Sequence, residues 1–403
     1  MFPEKHRLIR LVLRASVWGI LPVFLLTAFA MANVHVRASS ADTQGVLCTF
    51  ESQMEFPDLC SAAGPSSLRV DYWQMGLLPR RPLPVLPTDP ALGILSRSYA
   101  RAGKDAEVGF YSSVQDAISG HPNHNLFKGF VYVSYVEVIK REEGTFYRTG
   151  DGWIVRGDEV SPIAYKDQTV KGQFVGVTLA EPPIHPFGWV LPVEGIYPSR
   201  TPGGLADKHA EFYPRYTPVE VFDTQKVDQT TWYMVGINQW ILQTKLGLVF
   251  PDTKRPDGIP AGVKWISVNL FEQSLAAYEG DRMVFATLVA SGLPGFWTRP
   301  GVFRTYKKYD IQNMSGSFEQ DKSDYYYVGD VPWVMYFDRA RAIHGEYWHN
   351  KLGGRHSHGC VNVPVADGHW LYNWAPVGTW VSVFDPSGKT PTDEKYYLND
   401  AGV

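Results

Sequence analysis

The sequence predicts a mainly β protein built from several modules, with an apolar helix at its N-terminus. Gly and Pro number 37 and 29 in 403 residues, and their spread along the chain is typical of short strands joined by turns. Aromatic residues make up 14% of the chain, which suits the faces of β-sheets. Runs such as residues 130–138 are rich in β-branched and aromatic side chains, as strands are. A chain of this length predicts roughly two to three domains.

Residues 1–40 are interpreted as a signal peptide or a membrane anchor. Four basic residues, between Lys5 and Arg14, precede residues 15–34, which carry no charge. Such a helix, at ~1.5 Å rise per residue, just spans a ~30 Å hydrocarbon core. Ala-Met-Ala at residues 30–32 also offers a small-x-small cleavage site. Both interpretations place the rest of the chain outside the cytoplasm, and they leave cleavage or retention of the anchor open.

Residues 41–87 are predicted to be a lead segment that ends in a Pro-rich linker. Cys48 and Cys60 lie in this segment, and the chain has three cysteines in all. In an oxidising compartment these two thiols are expected to form a disulfide, and two free thiols are the alternative. Cys360 is then left over, as a reactive cysteine would be.

Residues 88–160 and 161–260 are predicted to form one or two small β-barrel modules. A turn followed by a Trp-Ile strand occurs in each, at Trp153 and at Trp240, and this repetition suggests a duplicated module. The Gly-Trp-Ile-Val run at Trp153, followed by an acidic pair, resembles the end of a Src-homology-3-like barrel of bacterial wall-associated proteins.

Residues 261–386 are predicted to be a catalytic domain, and residues 387–403 a polar tail. Within the catalytic domain, hydrophobic runs predict a meander of three strands at 264–270, 271–278 and 283–290. They also predict a later strand at 331–337, a short helix at 366–374 and a closing strand at 378–384.

The residues that predict chemistry are Ser357-His358-Gly359-Cys360-Val361-Asn362 and, upstream, His344-Gly345. A thiolate nucleophile needs a neighbour that takes its proton, and His is the usual one. Gly359 lacks a Cβ, so the chain can bend there and aim backbone N–H groups at a reacting carbonyl. We therefore predict Cys360 as the nucleophile and His344 as its base. An inert, buried cysteine is the alternative.

This pattern is similar to the signature of the L,D-transpeptidase (YkuD-type) family, a His followed by Ser/Thr-His-Gly-Cys-hydrophobic-Asn. The resemblance covers approximately residues 263–385. Twelve residues separate His344 from Ser357, slightly fewer than the family pattern leads us to expect. The resemblance implies a β-sandwich or β-barrel catalytic domain, peptidoglycan stem peptides as substrates and no cofactor. It also implies that a backbone carbonyl orients His344.

The other residues of the motif are expected to support this pair. The N–H groups of Gly359 and Cys360 would form the oxyanion hole, and His358 would orient the substrate. Ser357 and Asn362 would fix the loop through hydrogen bonds. Four residues are expected to line a substrate groove: Tyr336, Trp333, Trp348 and Gly345. The alternative is that they pack in the core.

The expected function is that of an exported cysteine transpeptidase, which forms a thioester at Cys360 and transfers the acyl group to an amine. If water is the acceptor, the enzyme is an L,D-carboxypeptidase. A non-catalytic wall-binding protein is a third hypothesis. A zinc peptidase is the fourth, with ligands drawn from His344, His349, His356, His358 and Cys360. We expect no metal, and a net charge of −3 gives no electrostatic case for nucleic acid.

Overall fold

A computed structural model describes residues 46–48, 60–62, 72, 74–75, 83–103, 105–163 and 174–398. The predicted apolar helix at residues 15–34 lies outside these ranges. No helix in the part that is described is both long and apolar enough to cross a membrane. The strands greatly outnumber the helices there, which confirms the prediction of a mainly β fold.

Strands β1 (Val46–Cys48) and β2 (Cys60–Ala62) pair in parallel, with Val46 opposite Cys60. The structure describes only the backbone of these two strands. The disulfide predicted between Cys48 and Cys60 concerns side chains outside the described atoms, and it stays a prediction.

The first large segment contains eight strands and a short helix. The strands are β3 (Ser98–Ala102), β4 (Val108–Phe110), β5 (His124–Leu126), β6 (Phe130–Tyr135), β7 (Glu137–Arg141), β8 (Gly144–Arg148), β9 (Ile154–Arg156) and β10 (Val160–Pro162). Helix α1 (Val114–Ser119) begins at Ser113, whose hydroxyl accepts a hydrogen bond from the Asp116 N–H, and ends at Gly120 in the left-handed conformation.

Seven further strands follow before the catalytic motif region. They are β11 (Val177–Thr178), β12 (Phe187–Val190), β13 (Pro218–Glu220), β14 (Asp223–Val227), β15 (Thr230–Gly236), β16 (Gln239–Leu242) and β17 (Leu246–Val249). Strands β13, β12 and β17 form one three-stranded sheet, and β14, β15 and β16 form another.

The last region contains nine strands and one longer helix. The strands are β18 (Lys264–Asn269), β19 (Ser274–Glu279), β20 (Arg282–Leu288), β21 (Gly301–Arg304), β22 (Lys307–Gly316), β23 (Tyr326–Asp338), β24 (Arg341–Glu346), β25 (Val361–Pro364) and β26 (Trp380–Phe384). Helix α2 (Val365–Trp374) follows β25 directly, after Pro364, which cannot continue the strand's donor pattern.

Each of two large sheets combines strands from different parts of the chain. A six-stranded sheet has the order β11-β20-β19-β18-β26-β21. A seven-stranded sheet has the order β10-β3-β6-β23-β24-β25, with β22 also paired to β23. Strand β6 lies parallel to β23, with Val131 opposite Tyr327. Strands β3, β6 and β10 of the first segment thus extend the sheet that carries His344.

The main core lies between these two sheets and α2. Successive side chains of a strand point to opposite faces, so β18 directs Ile266 and Val268 into this core. From the other sheet, Ile343 of β24 and Val361 and Val363 of β25 meet them. His344 and Asn362 alternate with these residues and therefore point to the opposite face. The register of the hydrophobic residues is what directs the catalytic candidates away from the core.

A buried carboxyl holds α2 in place. Asp367 is fully buried and accepts hydrogen bonds from the N–H groups of Val175 and Gly176, at 3.2 and 3.0 Å. It also accepts one from the Thr287 hydroxyl at 2.5 Å. Burial raises the pKa of Asp367 to about 7. The carboxyl links the helix to β20 and to the segment before β11.

Candidate active site

The pairing of β24 with β25 brings the predicted catalytic residues to one face of the sheet. His344 lies opposite Asn362 in parallel register, and Cys360 immediately precedes β25. Cys360 lies two residues before Asn362, about 6.6 Å away along an extended chain, so the two side chains point to the same side. All three line a cavity of about 460 Å³.

The turn before the nucleophile depends on Gly359. Its φ is +115°, which favours glycine, and a Cβ there would lie 3.3 Å from the Arg341 Nε. The Gly359 N–H donates to the Ser357 hydroxyl at 3.1 Å, and that hydroxyl donates to the Cys360 carbonyl at 2.5 Å. Ser357 thus links Gly359 to Cys360 through its hydroxyl. The Gly359 N–H, predicted to stabilise an oxyanion, is occupied by this bond, which leaves the Cys360 N–H of the predicted pair.

The Cys360 thiol is neutral at rest. Burial raises the pKa of Cys360, and a backbone hydrogen bond at Ala342 and the charge of Arg341 oppose this only in part. Its Sγ lies 3.9 Å from the Ala340 carbonyl, toward which the S–H points. The nucleophile must therefore lose its proton during the reaction.

His344 is suited to take that proton. It is 2% exposed, and burial lowers the pKa of His344 to about 4, so the ring is neutral at pH 7. Its Nδ1 lies 3.1 Å from the Gly345 carbonyl oxygen. A carbonyl can only accept, so Nδ1 carries the hydrogen and Nε2 keeps a free lone pair. The structure thus places a backbone carbonyl where the family resemblance implied one.

Next to His344 lies a polar cluster that sequence reasoning missed. Glu346 is 1% exposed, and its carboxylate lies 2.7 Å from the His349 Nε2. The Lys351 N–H donates to the His349 Nδ1 at 3.2 Å, so the ring hydrogen sits on Nε2, toward the carboxyl group. Burial raises the pKa of Glu346, while His349 and Asn362 lower it. The spacing of Glu346 from His344, two residues in one strand, is the signal that could have revealed it.

Asn362 joins this cluster to the cavity. Its side-chain amide donates to the Glu346 carboxyl at 3.4 Å. Its Oδ1 is buried and has no hydrogen-bond partner among the residues that the structure describes. This oxygen is shut off from solvent, so it is an unsatisfied buried acceptor beside the cavity.

His358 sits among aromatic rings on another wall of the cavity. It stacks on Tyr326 with ring centroids 5.2 Å apart and lies 4.6 Å from the Phe296 ring. Burial lowers the pKa of His358, so it too is neutral. This packing holds the ring in one orientation, beside the cysteine loop.

The predicted groove residues divide between two sides of the sheet. Trp348 lines the cavity, and its ring lies 5.7 Å from the His344 ring. Burial raises the pKa of Tyr336, and the charge of Cys360 is a second, smaller cause. Trp333 instead stacks on His369 of α2 at 3.7 Å. Gly345 packs against Pro332, where a Cβ would meet the ring at 3.2 Å. Both face α2 and lie outside the cavity lining, because close packing on the helix needs them there.

The positions of the histidine and acidic side chains bear on the zinc peptidase hypothesis. Within the described ranges, no three His, Cys, Asp or Glu side chains are grouped as a site that could hold a metal ion. The rings of His349 and His356 lie 5.5 Å apart, edge to face.

A second, larger cavity of about 780 Å³ lies elsewhere, beside β18, β26 and β15. The described residues that line it include Glu272, Ser267 and Phe250, but no cysteine or histidine. Volume alone would favour it, yet it contains neither the cysteine nor the histidine of the predicted catalytic motif. We therefore take the smaller cavity, at Cys360, as the candidate active site.

Comparisons with known proteins agree with the resemblance seen in the sequence. Residues 263–383 match the model of the YkuD family, the L,D-transpeptidase catalytic domain, over nearly the range predicted. The putative L,D-transpeptidase YciB of Bacillus subtilis is 23% identical over 201 residues, which are 44% of this chain and 88% of that protein. The predicted catalytic-domain family is thereby confirmed for residues 263–383, whereas nothing in these matches confirms a Src-homology-3-like module.

Similar solved structures are also L,D-transpeptidases. The enzyme from Stackebrandtia nassauensis is 24% identical and has a TM-score of 0.27, over 36% of this chain and 64% of that one. This chain therefore spans less than two thirds of that protein. The catalytic domain from E. faecium is 29% identical with a TM-score of 0.28, over 30% of this chain and 98% of that domain.

Proposed function

Because residues 263–383 form an L,D-transpeptidase catalytic domain, we propose that the chain is an exported cysteine transpeptidase of peptidoglycan stem peptides. The observation that carries this proposal is the single cavity shared by Cys360 and His344. The neutral imidazole, with Nδ1 tied to the Gly345 carbonyl, leaves Nε2 able to accept the thiol proton.

In the proposed reaction, the Cys360 sulfur attacks the carbonyl between an L-centre and a D-residue of a stem peptide. The thiol proton passes to His344, and the Cys360 N–H stabilises the oxyanion. When the C–N bond breaks, His344 returns the proton to the departing amine, which leaves as D-Ala. A thioester at Cys360 remains.

In the second half, an amine attacks the thioester and gives a proton to His344. The C–S bond breaks, a new amide forms, and the proton returns to the Cys360 sulfur. His344 is only 2% exposed, so bulk water reaches the base poorly. This shielding supports transfer to an amine over hydrolysis.

The proposal predicts one covalent adduct with a carbapenem, whose strained amide a thiol nucleophile should open. Intact mass and peptide mapping should place the adduct on Cys360 and on neither Cys48 nor Cys60. Cys360→Ala should lose the adduct and should lose turnover of a stem tetrapeptide by roughly several powers of ten, as removal of a covalent nucleophile does.

The matched control is a variant with both Cys48→Ala and Cys60→Ala, which should keep the adduct. An adduct on a serine, or turnover retained by Cys360→Ala, would contradict the mechanism. Export is tested separately, with a reporter joined after Val403: activity of the reporter only in the cytoplasm would overturn that part of the proposal. Sequencing the N-terminus of the mature protein distinguishes a cleaved signal from a retained anchor.

A further inference from the structure

One wall of the Cys360 cavity comes from the segment predicted as a separate module. Arg101 of β3 and Phe130 and Tyr132 of β6 line the cavity. Arg101 lies directly opposite Tyr132 in antiparallel register, so the two side chains share a face. The parallel pairing of β6 with β23 at Tyr326 is what brings this face to the catalytic residues.

The lining of this cavity is basic although the whole chain has a net charge of −3. Arg101, Arg341 and Lys351 line it, and no Asp or Glu does so among the described residues. Arg341 is held by the carboxylate of Asp338 at 3.4 Å and by the Trp297 carbonyl at 3.2 Å. A cavity with this excess of positive charge favours an anionic ligand.

Arg101 is the cation that is placed to bind such a ligand. Its guanidinium carbon lies 5.8 Å from the centroid of the Tyr132 ring, and no carboxylate of the described ranges is paired with it. Stacking on an aromatic ring restrains a guanidinium while leaving its N–H edge open. A planar fork held in this way matches the two oxygens of a carboxylate.

We infer that Arg101 is a specificity-determining residue that binds a carboxylate of the stem peptide while the peptide is held at Cys360. This inference rests on the proposed function and adds to it the recognition of a free carboxylate by the sheet of residues 98–135. Arg101 and Cys360 both line this cavity, so one peptide can contact the two residues at the same time.

The test uses a stem tetrapeptide and a set of derivatives in which each carboxylate in turn is a carboxamide. Wild-type protein should prefer the free peptide over one of these amides by about tenfold, the value of one charge-assisted hydrogen bond. R101Q should raise KM for the free peptide by about tenfold and should remove that preference. R101K should lie between the two, because an ammonium cannot bind a carboxylate through a planar fork.

Two variants serve as controls. Arg141→Gln changes an exposed arginine of β7 and should alter neither KM nor the preference. Lys351→Gln removes another cation of the cavity that could bind the carboxylate in place of Arg101. Thermal unfolding of each variant, followed by circular dichroism, checks that the fold is intact.

Equilibrium binding to Cys360→Ala, with and without Arg101→Gln, measures the same preference without chemistry. Loss of the preference with Arg101→Gln in this background supports the inference. A preference that survives Arg101→Gln, or that follows Lys351→Gln instead, overturns the inference and leaves the proposed function standing. If wild-type protein neither binds nor turns over any of the peptides, the proposed function fails, and this inference fails with it.

Discussion

His344 shows how burial sets the chemistry of a single residue. The same desolvation that lowers its pKa also raises that of the Cys360 thiol, so the resting pair is uncharged. A thiolate-imidazolium pair would place two charges in a site that stabilises neither well. The proton is therefore expected to move when the substrate arrives, since the substrate excludes the remaining water and supplies the oxyanion.

The pH profile of kcat/KM should report this pKa. The base acts only when it is neutral, and its pKa is about 4. We expect kcat/KM to stay constant from about pH 7 down to pH 5.5 and to fall only near pH 4, because the resting His344 ring is protonated by solvent only there. The measurement is kcat/KM between pH 4 and 9 at constant ionic strength, with the fold checked at each pH by circular dichroism. An acid limb at pH 6.5, the ordinary pKa of histidine, would contradict the assignment.

At the residue scale, the sequence was sufficient where the motif is local. Cys360, Ser357 and Asn362 are separated by a few residues, so their relative placement follows from one turn and one strand. Glu346 and Arg101 were missed, because their roles depend on contacts with residues distant in the sequence. Arg101 reaches the cavity only through the pairing of β6 with β23.

At the element scale, local patterns predicted the elements well but not their partners. The helix predicted at 366–374 is α2 (Val365–Trp374), and the strand predicted at 331–337 is part of the longer β23. Alternating hydrophobic residues indicate that a segment is a strand and which face is buried. They carry no information on which of many strands lies beside it, so the shared seven-stranded sheet could not be predicted.

The junction of β6 with β23 depends on Gly129. Its φ is +154°, and a Cβ there would lie 2.2 Å from the Tyr325 carbonyl oxygen. That oxygen accepts the hydrogen bond from the Phe130 N–H at 3.0 Å, which begins the pairing. Gly129→Ala should lower the free energy of unfolding by about 2 kcal/mol or more, because strain and a backbone clash add. Urea unfolding measures this value.

Gly144 provides the matched control for that prediction. It has a similar φ, +145°, but a Cβ there would meet no atom within 4 Å. Gly144→Ala therefore carries the conformational strain without the clash and should be the milder variant. Equal losses of stability in the two variants would show that the contact with Tyr325 has no role in holding β6 against β23.

At the scale of the whole molecule, buried carboxyls make stability depend on pH. Glu272 joins the turn after β18 to β17, since its carboxyl accepts the Leu248 N–H at 3.1 Å. It is 7% exposed, and burial raises the pKa of Glu272 to about 7 from 4.5. The folded state therefore binds a proton that the unfolded state releases between these two values, and stability falls as the pH rises through that window.

Glu272→Gln should remove the part of this dependence that comes from Glu272 and leave the part that comes from Asp367. Gln can accept the same N–H bond but carries no charge at any pH. The wild type should lose about 3 kcal/mol relative to this variant between pH 4.5 and pH 8, because the pKa of Glu272 is about 7 in the folded state and 4.5 in the unfolded state. The free energy of unfolding in urea, measured for both proteins at the two pH values, checks this. Parallel curves for the two proteins would show that Glu272 titrates normally.

The parallel pairing of β6 with β23 also governs how the chain can be handled and folded. Phe130 and Tyr326 are partners although about 200 residues separate them, and contacts so distant form late in folding. A recombinant fragment cut to the family match would leave the edge of β23 bare at Tyr326–Val328. Unpaired backbone N–H and C=O groups of that kind recruit other chains, so such a fragment is prone to aggregate. During biosynthesis β6 emerges about 200 residues before β23, so its own edge stays unpaired until β23 has been made.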